Sequence, residues 1–515
     1  MQPKSTHLLR VGGTAVVLLL SSLVLGEHHC IHDQIQLKQI QSGVLEANHI
    51  VEETSLLRES RASPRGIVFR VGTATLDDSS KYCTAAGQKR PSLEGSTLTC
   101  TAEQVFTSEK KRYLIDHLLP SATSLISNAL KNTPSGSFSL QQSDLEGNIC
   151  SNFIVSRELE NAADQDFIIL VAAAPTSGNT IAWATTCLVS SKSNKPMVGV
   201  INVSPKYING EMSTVRTVVH EIFHALGFSS LKSTEATMRG KTVKVVSSGQ
   251  TKIKAREHYG CSDLEGMEVD DDGGAGTMGS HWKARAAKDD LMAGYASNIM
   301  YLTPMTLAYM EDSTFYAPNY DSAETMPFGY KAGCDFLREP CIQNGVSLFP
   351  DTWADRNTDR IRCSSDRLAV GGGYLASAEN RNLNCAGTIY DYFGDGRCYD
   401  SSPYDYCPPI QPYTNTICRN TGDTVGRCIN QDSSTGAECF NIVCDYSAKT
   451  FQIALSSSTI RCTSGGTFSS GGKRYVCPEY YEMCPYAGSG TDSSVKRTVY
   501  VSLVVTVSLF ASLFL

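Results

Sequence analysis

Apolar residues recur at helical spacing in the stretch TVRTVVHEIFHALGF, which runs from Thr214 to Phe228. Its aliphatic positions are separated by four, three and four residues: Val215, Val219, Ile222 and Leu226. This spacing places them on one face of an α-helix, and it predicts that the helix packs against a core.

Other stretches predict a mixture of helices and strands from Arg65 to about Ser230. DFIILVAAA and VGVINVS are short, β-branched and bounded by turn residues, which is typical of buried strands. EKKRYLIDHLLPSATSLISNAL has helical spacing, and Pro120 is expected to break that helix. From about Cys341 onward helical periodicity is weak, which predicts a loop-rich, mostly β region. The predicted fold class is therefore α+β.

The two ends of the chain have patterns of their own. Residues 1–26 carry two cationic residues and then a short apolar run, which is the layout of a secretory signal peptide. A membrane anchor at the N-terminus fits less well because the run is short for a bilayer span. Residues 490–515 offer a polar spacer and an apolar tail, which match a GPI-attachment signal, with attachment near Ser489. The alternative here is a membrane helix at the short limit of length.

Composition agrees with an extracellular protein. The chain has 19 cysteines in 515 residues, and 12 of them lie from Cys341 onward, which predicts a disulfide framework formed in an oxidising compartment. The odd number leaves one cysteine unpaired. The net charge is −7 with no basic block, which argues against nucleic acid as a partner. Residues 27–64 are polar and end within ESRASPRG (59–66), which is typical of a flexible, cleavable junction, so we interpret them as a pro-segment.

The predicted helix also carries candidate chemistry. His220 and His224 are four residues apart and therefore face the same side, where two imidazole nitrogens can share one zinc ion. Glu221 lies about 100° around the helix from His220, where it can act as a general base without binding the metal. Gly227 follows the last turn, and a glycine there can end the helix and redirect the chain.

The third ligand is not evident from the motif. In metzincin proteases it is a histidine three residues after the glycine, but Ser230 occupies that position. In gluzincins it is a glutamate on a later helix, and the acidic residues 265–272 keep that possibility open. Three other histidines lie beyond the pro-segment. His117 is expected to be a half-exposed helix residue, His258 lies in a polar, exposed-looking stretch, and His281 follows a glycine-rich approach and is only weakly favoured by its position.

Several stretches resemble the leishmanolysin family, the surface zinc metalloproteases of protozoan parasites. They are HEIFHALGFS, AREHYGCSDLEGMEVDDDGGAGTMGSHW, DDLMAGY, AWATTC, VGVINVS, TFYAPNY, DYCPP and HHCIHD, and the likeness covers about residues 28–487. The resemblance implies a metzincin-type catalytic core with an active-site helix and a mixed sheet. It implies that His281 is the third zinc ligand after a long insertion, and that Met292 is the methionine of the Met-turn.

The resemblance also implies a domain plan and a latent precursor. A catalytic domain (65–229), a central domain (230–341) and a cysteine-rich domain (342–489) follow the pro-segment. Cys30 resembles a cysteine switch whose sulfur occupies the open zinc position, and its exclusion leaves 18 cysteines for nine disulfides.

The expected function is that of a cell-surface endopeptidase with one Zn²⁺ per chain, in which Glu221 activates a zinc-bound water. Protein and peptide substrates are its expected partners, together with the membrane through the lipid anchor. AWATTC and VGVINVS are expected to provide a strand edge for the substrate. The sequon at Asn202 is either glycosylated or buried in its strand. The alternative function is a surface adhesion protein on the same scaffold, with or without proteolysis.

Overall fold

We analysed a computed structural model of the chain. It describes residues 30–32, 34–35, 49–51 and 63–484, with gaps at 134–137, 161–164, 230, 272–277, 296, 298, 356–360, 374–383, 422–423, 433–435 and 457. The predicted signal peptide, most of the pro-segment and the predicted GPI signal lie outside the described residues. Within the part that is described, no helix combines the length and the apolar character that crossing a bilayer requires.

A five-stranded mixed sheet forms the centre of the part of the chain before residue 230. Its strands lie in the order His49–Val51, Ala182–Ser190, Pro196–Val203, Phe167–Ala172 and Phe69–Gly72. The second and third strands are antiparallel, and the other neighbouring pairs are parallel. We call Ala182–Ser190 the edge strand, because the only described strand beyond it is the pro-segment strand His49–Val51.

Both faces of this sheet are buried. Ile169 and Val171 belong to the core on one face, whereas Ile168 and Leu170 belong to the core on the other face. Successive side chains of a strand point to opposite faces, so a strand covered on both sides reads as a continuous apolar run. The two predicted strands are therefore confirmed. VGVINVS, however, is a central strand, and the prediction that it offers an edge to substrate is wrong for it.

The helix Met212–Ala225, which we call the active-site helix, packs on the edge and central strands. Gly199 on the central strand makes this approach possible, because a Cβ at that position would lie 2.9 Å from Cβ of Ala225. From Val218 to Leu226 every side chain of the helix is buried. The predicted helix is confirmed. Over this stretch it is buried on all sides, whereas the spacing of its apolar residues predicted burial of one face only.

The helical segment that contains Pro120 is not broken. It consists of Ser108–Tyr113, a π-helical turn Leu114–Leu118 and Leu119–Ala129, and the backbone N–H of Leu119 donates to the Leu114 carbonyl. A proline removes one N–H, and its ring crowds the preceding turn of an α-helix. The wider turn directly before Pro120 accommodates it, so the prediction of a break was wrong.

The described residues between the active-site helix and His281 form a small α/β unit. It contains a three-stranded sheet of Thr234–Met238, Lys241–Val246 and Met267–Glu268, and the helix Gly249–Tyr259. Cys261 is bonded to Cys334, which ties this unit to the chain that follows. The helix Pro304–Asp312 packs against Gly249–Tyr259.

The region after Cys341 is mostly β and disulfide-rich, as predicted. Its main strands are Arg362–Cys363, Ala369–Gly373, Ile410–Ile417, Val425–Asn430, Ala437–Asp445, Thr450–Ala454, Thr459–Arg461, Thr467–Ser470 and Lys473–Val476. The 12 cysteines of this region form six disulfides among themselves. Three further disulfides lie earlier in the chain.

Short elements complete the described fold, and together with the sheet, the helices and the bridged C-terminal strands they give an α+β architecture. The strands among them are Arg65–Gly66, Lys89–Pro91, Thr97–Thr99, Leu130–Asn132, Ala317–Pro318, Ile342–Gln343 and Val346–Ser347. The helices are Ala284–Ala287, Asp335–Arg338 and Tyr480–Met483, with 3-10 turns at Ala74–Asp77, Gln142–Leu145, Ile149–Asn152, Pro205–Tyr207, Tyr320–Ser322 and Ser402–Tyr404.

Candidate metal centre

Three buried histidines from two distant parts of the chain converge on one point. The Nε2 atoms of His220 and His224 are 3.1 Å apart, and Nε2 of His281 lies 3.0 Å from that of His224 and 3.3 Å from that of His220. Sγ of Cys30 lies 3.6 Å from Nε2 of His224. These four atoms all lie within 4.8 Å of one another.

The spacing of these atoms fits a tetrahedral metal site. Zn²⁺ takes imidazole nitrogen at about 2.0–2.1 Å and thiolate sulfur at about 2.3 Å, so tetrahedral ligands are separated by about 3.3 Å for two nitrogens and about 3.6 Å for nitrogen and sulfur. The nitrogen separations of 3.0–3.3 Å and the nitrogen–sulfur separation of 3.6 Å agree with both values. The residues present therefore fit a bound zinc ion.

The second ring nitrogen of His220 and of His224 also makes a hydrogen bond. Nδ1 of His220 donates to the Leu291 carbonyl and Nδ1 of His224 donates to the Phe228 carbonyl, each at 2.6 Å. Both Nε2 atoms are therefore lone-pair acceptors, because a neutral imidazole carries one N–H. Burial and the neighbouring histidines hold the pKa of His224 well below its usual value. Lone pairs that converge at about 3 Å repel one another unless a cation lies between them.

The end of the active-site helix explains how His224 acquires its partner. Gly227 has a φ of +106°, a left-handed conformation that a side chain would strain. The chain consequently turns back, and the N–H of Phe228 donates to the Phe223 carbonyl at 2.9 Å. This turn aims the Phe228 carbonyl at His224, so the glycine after the motif positions a ligand as well as ending the helix.

His281 directly follows a turn at residues 278–280, and its backbone pairs with the end of the insertion. The N–H of Asp270 donates to the His281 carbonyl, and the N–H of Gly279 donates to the Asp270 carbonyl, each at 2.9 Å. Ser280 supplies the partner of the ring, since its Oγ lies 3.0 Å from Nδ1 of His281. Partners of this kind fix the orientation of metal-binding histidines.

Glu221 lies beside the cluster and is completely buried. One of its carboxylate oxygens accepts from the N–H of Ala184 on the edge strand at 3.1 Å. Burial raises the pKa of Glu221 to about 7, while the electrostatic influence of His220, a hydrogen bond from Cys30 and the Ala184 N–H oppose this rise. A pKa near neutrality suits a general base, because the group can both take and return a proton.

The described part of the pro-segment lies directly on this site. Besides Cys30, His32 donates from Nδ1 to the Ala184 carbonyl at 3.0 Å, and its ring stacks on that of His224 with centroids 4.0 Å apart. Ile31 and Ile35 join the core on the face of the sheet that does not carry the active-site helix. Farther along, His49–Val51 pairs in parallel with residues 188–190 of the edge strand.

The other candidates lie elsewhere. His117 is half-buried on its helix, as predicted. His258 is not exposed, contrary to the prediction; it is 5% exposed, because it lies on the inner face of the helix Gly249–Tyr259 and contacts the Phe328 carbonyl. Among the described acidic residues of 265–272, none joins the histidine cluster, and Glu268 instead pairs with Arg239.

Met292 lies in a buried turn close to the site. Its carbonyl accepts from the N–H of Trp282, the residue after His281, at 3.0 Å, and the preceding residue Leu291 holds His220. The Met-turn assignment stays a prediction, but its location agrees with that role.

Sequence reasoning missed several groups that support the site. His32 and Ser280 each lie one or two residues from a predicted site residue, which was the signal that could have drawn attention to them. Arg216 lies one helical turn before His220, and its guanidinium forms a buried bidentate ion pair with Glu324 at 2.5 and 2.8 Å. No short-range signal links those two residues, which are 108 positions apart.

The sequon at Asn202 takes the buried alternative. The side chain is completely buried and is bonded to both the N–H and the carbonyl of Ala174. A glycan on this amide has no room in the folded strand.

The enclosed sheet, the helix with two histidines and a glutamate, and a third histidine from beyond an insertion define a metal-dependent peptidase. Comparisons with known proteins identify its family. The leishmanolysin family model matches residues 28–490. The chain is 32% identical to "Leishmanolysin" of Leishmania major, covering 89% of this chain and 86% of that protein. It is 33% identical to the "Leishmanolysin homolog" of Crithidia fasciculata, covering 80% and 70%. A "Leishmanolysin-like peptidase" of Caenorhabditis elegans is 29% identical over about half of each chain, at 52% and 51%. The chain belongs to the leishmanolysin family of metalloproteases.

Proposed function

We propose that this protein is a zinc-dependent endopeptidase of the cell surface, of the metzincin type, and that Cys30 keeps its precursor latent. The convergence of the three Nε2 atoms at 3.0–3.3 Å carries the proposal, because neutral imidazoles adopt that arrangement around a cation. His220, His224 and His281 would hold the zinc ion. Bound zinc supplies a Lewis acid that polarises the scissile carbonyl and increases the acidity of a water molecule.

The chain's own residues account for the remaining chemistry. Glu221, with its carboxylate fixed by the Ala184 N–H, takes a proton from the attacking water and delivers it to the leaving amine. The backbone N–H and carbonyl of Ala184 lie on the edge strand beside this carboxylate. A peptide that is laid along the edge strand in extended form is therefore held beside the carboxylate and the metal.

The proposed latency follows because residues of the pro-segment occupy the positions that water and substrate would need. Cys30 fills the fourth ligand position, and His32 occupies the Ala184 carbonyl that an extended peptide would otherwise use. A thiolate is a strong zinc ligand and excludes water from the position that catalysis needs. Removal of the pro-segment would expose the metal and the edge strand together.

The cell-surface location rests on the sequence. The secretory signal and the GPI signal are proposed from the patterns at residues 1–26 and 490–515, and the nine disulfides agree with an oxidising compartment.

The test compares the activated protein with three variants. We expect one zinc per chain and casein hydrolysis in the parent, zinc without turnover in Glu221→Gln, and loss of both in His281→Ala. His117→Ala replaces a histidine outside the site and should keep both. A parent with neither zinc nor turnover would leave a surface binding protein on this scaffold. Retention of both properties by His281→Ala would favour an acidic third ligand from residues 265–272.

A further inference from the structure

Asp290 is a buried carboxylate that the proposed reaction does not use. Its side chain, 1% exposed, accepts three hydrogen bonds: from the N–H of Met292 at 2.7 Å and from the hydroxyls of Thr303 at 2.5 Å and Thr306 at 2.7 Å. All three donors are neutral. A buried carboxylate without a cationic partner is costly, so its place in the fold calls for an explanation.

The turn that Asp290 holds contacts one of the three candidate ligands, His220, and the residue that follows another, His281. The Leu291 carbonyl, one residue along, accepts from Nδ1 of His220 at 2.6 Å. The Met292 carbonyl accepts from the N–H of Trp282, which fixes the residue next to His281. A shift of this turn would therefore move His220 and the His281 segment together.

A second connection runs through the side chain of Thr306. Its Oγ donates to Asp290 and accepts from Nε1 of Trp282 at 2.9 Å. Thr303, the other hydroxyl donor, caps the helix Pro304–Asp312 by accepting from the N–H groups of its first turn. Asp290 thus ties the turn both to the start of a rigid helix and to the indole beside the third histidine.

We propose that Asp290 is a positioning residue of the metal centre, which holds the 291–292 turn so that His220 and His281 keep the geometry that binds the metal. It touches neither histidine and acts through the Leu291 carbonyl and Trp282. The inference rests on the proposed zinc function and adds to it a residue whose role is to set metal affinity.

The experiment measures metal binding in the full chain with Cys30→Ala, so that the histidines alone hold the metal. Zn²⁺ affinity is measured by competition with a chelator, and the visible absorption of bound Co²⁺ reports ligand geometry. We expect Asp290→Asn to bind Zn²⁺ about 10–100-fold more weakly, which is the effect usual for lost outer partners, and to alter the Co²⁺ spectrum.

Asp366→Asn is the matched control. Asp366 is equally buried, lies in the cysteine-rich region and accepts from the Ser364 hydroxyl and the Leu368 N–H. We expect it to lower thermal stability while leaving the Zn²⁺ affinity and the Co²⁺ spectrum at parental values.

The outcomes separate the two proposals. Parental affinity and spectrum in a folded Asp290→Asn variant would overturn the positioning role, even if its melting temperature fell. A parent that binds no metal would remove the proposed function and this inference together. If Asp290→Asn does not fold, Thr306→Val interrupts the link to Trp282 while keeping the side-chain volume. Weaker Zn²⁺ binding by Thr306→Val supports the role, and unchanged binding overturns it.

Discussion

The region around the histidine cluster and the region after Cys341 are held together in different ways. In the first, a sheet enclosed on both faces and a buried helix set the positions of the functional groups, and backbone carbonyls orient the histidines. In the second, the first part, including Trp353 and Cys407, belongs to the main core, whereas the later strands pack on two small apolar clusters. Six disulfides cross-link this region. Tight packing therefore fixes the geometry of the candidate metal site, whereas disulfide bonds stabilise the later strands, whose apolar core is small.

The largest expected effect comes from removing a long-range bridge of the cysteine-rich region. Cys363 and Cys428 are 65 residues apart, and replacing both by alanine should lower the unfolding free energy by about 4 kcal/mol, since the unbridged chain gains entropy when unfolded. Cys462→Ala with Cys477→Ala, 15 residues apart, should cost about 3 kcal/mol. Guanidinium unfolding provides the measurement. Loss of zinc binding in either folded variant would contradict the separation of the two regions.

Acid should weaken the catalytic side of the molecule through His258. Burial lowers the pKa of His258 from 6.5 to about 4, so between these values the unfolded chain binds a proton that the folded chain does not. Stability present above pH 6.5 is therefore lost as the pH falls towards 4, by about 3 kcal/mol for this one group.

Unfolding curves of the parent and of His258→Gln across this pH range provide the test. The pH dependence should be smaller in the variant than in the parent. Equal slopes in the parent and in His258→Gln would show that the buried histidine does not limit acid stability.

Overpacking between the sheet and the active-site helix should disturb the site itself. In Gly199→Ala the new methyl would lie 2.8 Å from the Phe167 ring and 2.9 Å from Cβ of Ala225, so we expect a loss of about 2 kcal/mol and weaker Zn²⁺ binding. Gly210→Ala, where the nearest atom is the Tyr113 hydroxyl at 3.6 Å, is the control. Thermal unfolding and chelator competition measure both effects, and normal Zn²⁺ binding by Gly199→Ala would weaken the link between packing and the site.

The smallest expected effect concerns the pro-segment. His32→Ala removes the hydrogen bond to the Ala184 carbonyl and the stacking on His224, which together are worth about 1 kcal/mol, or roughly a 5-fold rise in precursor activity. Gln34→Ala, an exposed neighbour, should leave latency unchanged. The ratio of precursor to activated activity is the measurement. An unchanged ratio for His32→Ala would assign latency to Cys30 alone.

Local patterns predicted the elements that carry the site. The spacing of Val215 to Leu226 predicted the helix, and β-branched runs predicted the strands Phe167–Ala172 and Pro196–Val203. Cysteine parity predicted one cysteine outside the disulfides, which is Cys30. His281 needed the family resemblance, because 57 residues separate it from His224.

Other features depend on contacts that no local pattern encodes. The burial of His258 comes from packing against a segment some 70 residues away. The carbonyl of Leu291 and the carboxylate of Asp290 bear on the site only once the chain returns to His220 after 71 residues. Hydrogen bonds of this range follow from the complete fold and not from spacing.

X-ray absorption at the zinc edge of the full-length precursor tests the central claim most directly, because it counts the ligand atoms. The account predicts three nitrogens at about 2.0–2.1 Å and one sulfur at about 2.3 Å, with the sulfur absent in Cys30→Ser. Zinc surrounded only by nitrogen and oxygen in the parent would contradict the cysteine ligand. A shell without imidazole nitrogens would contradict the histidine site itself.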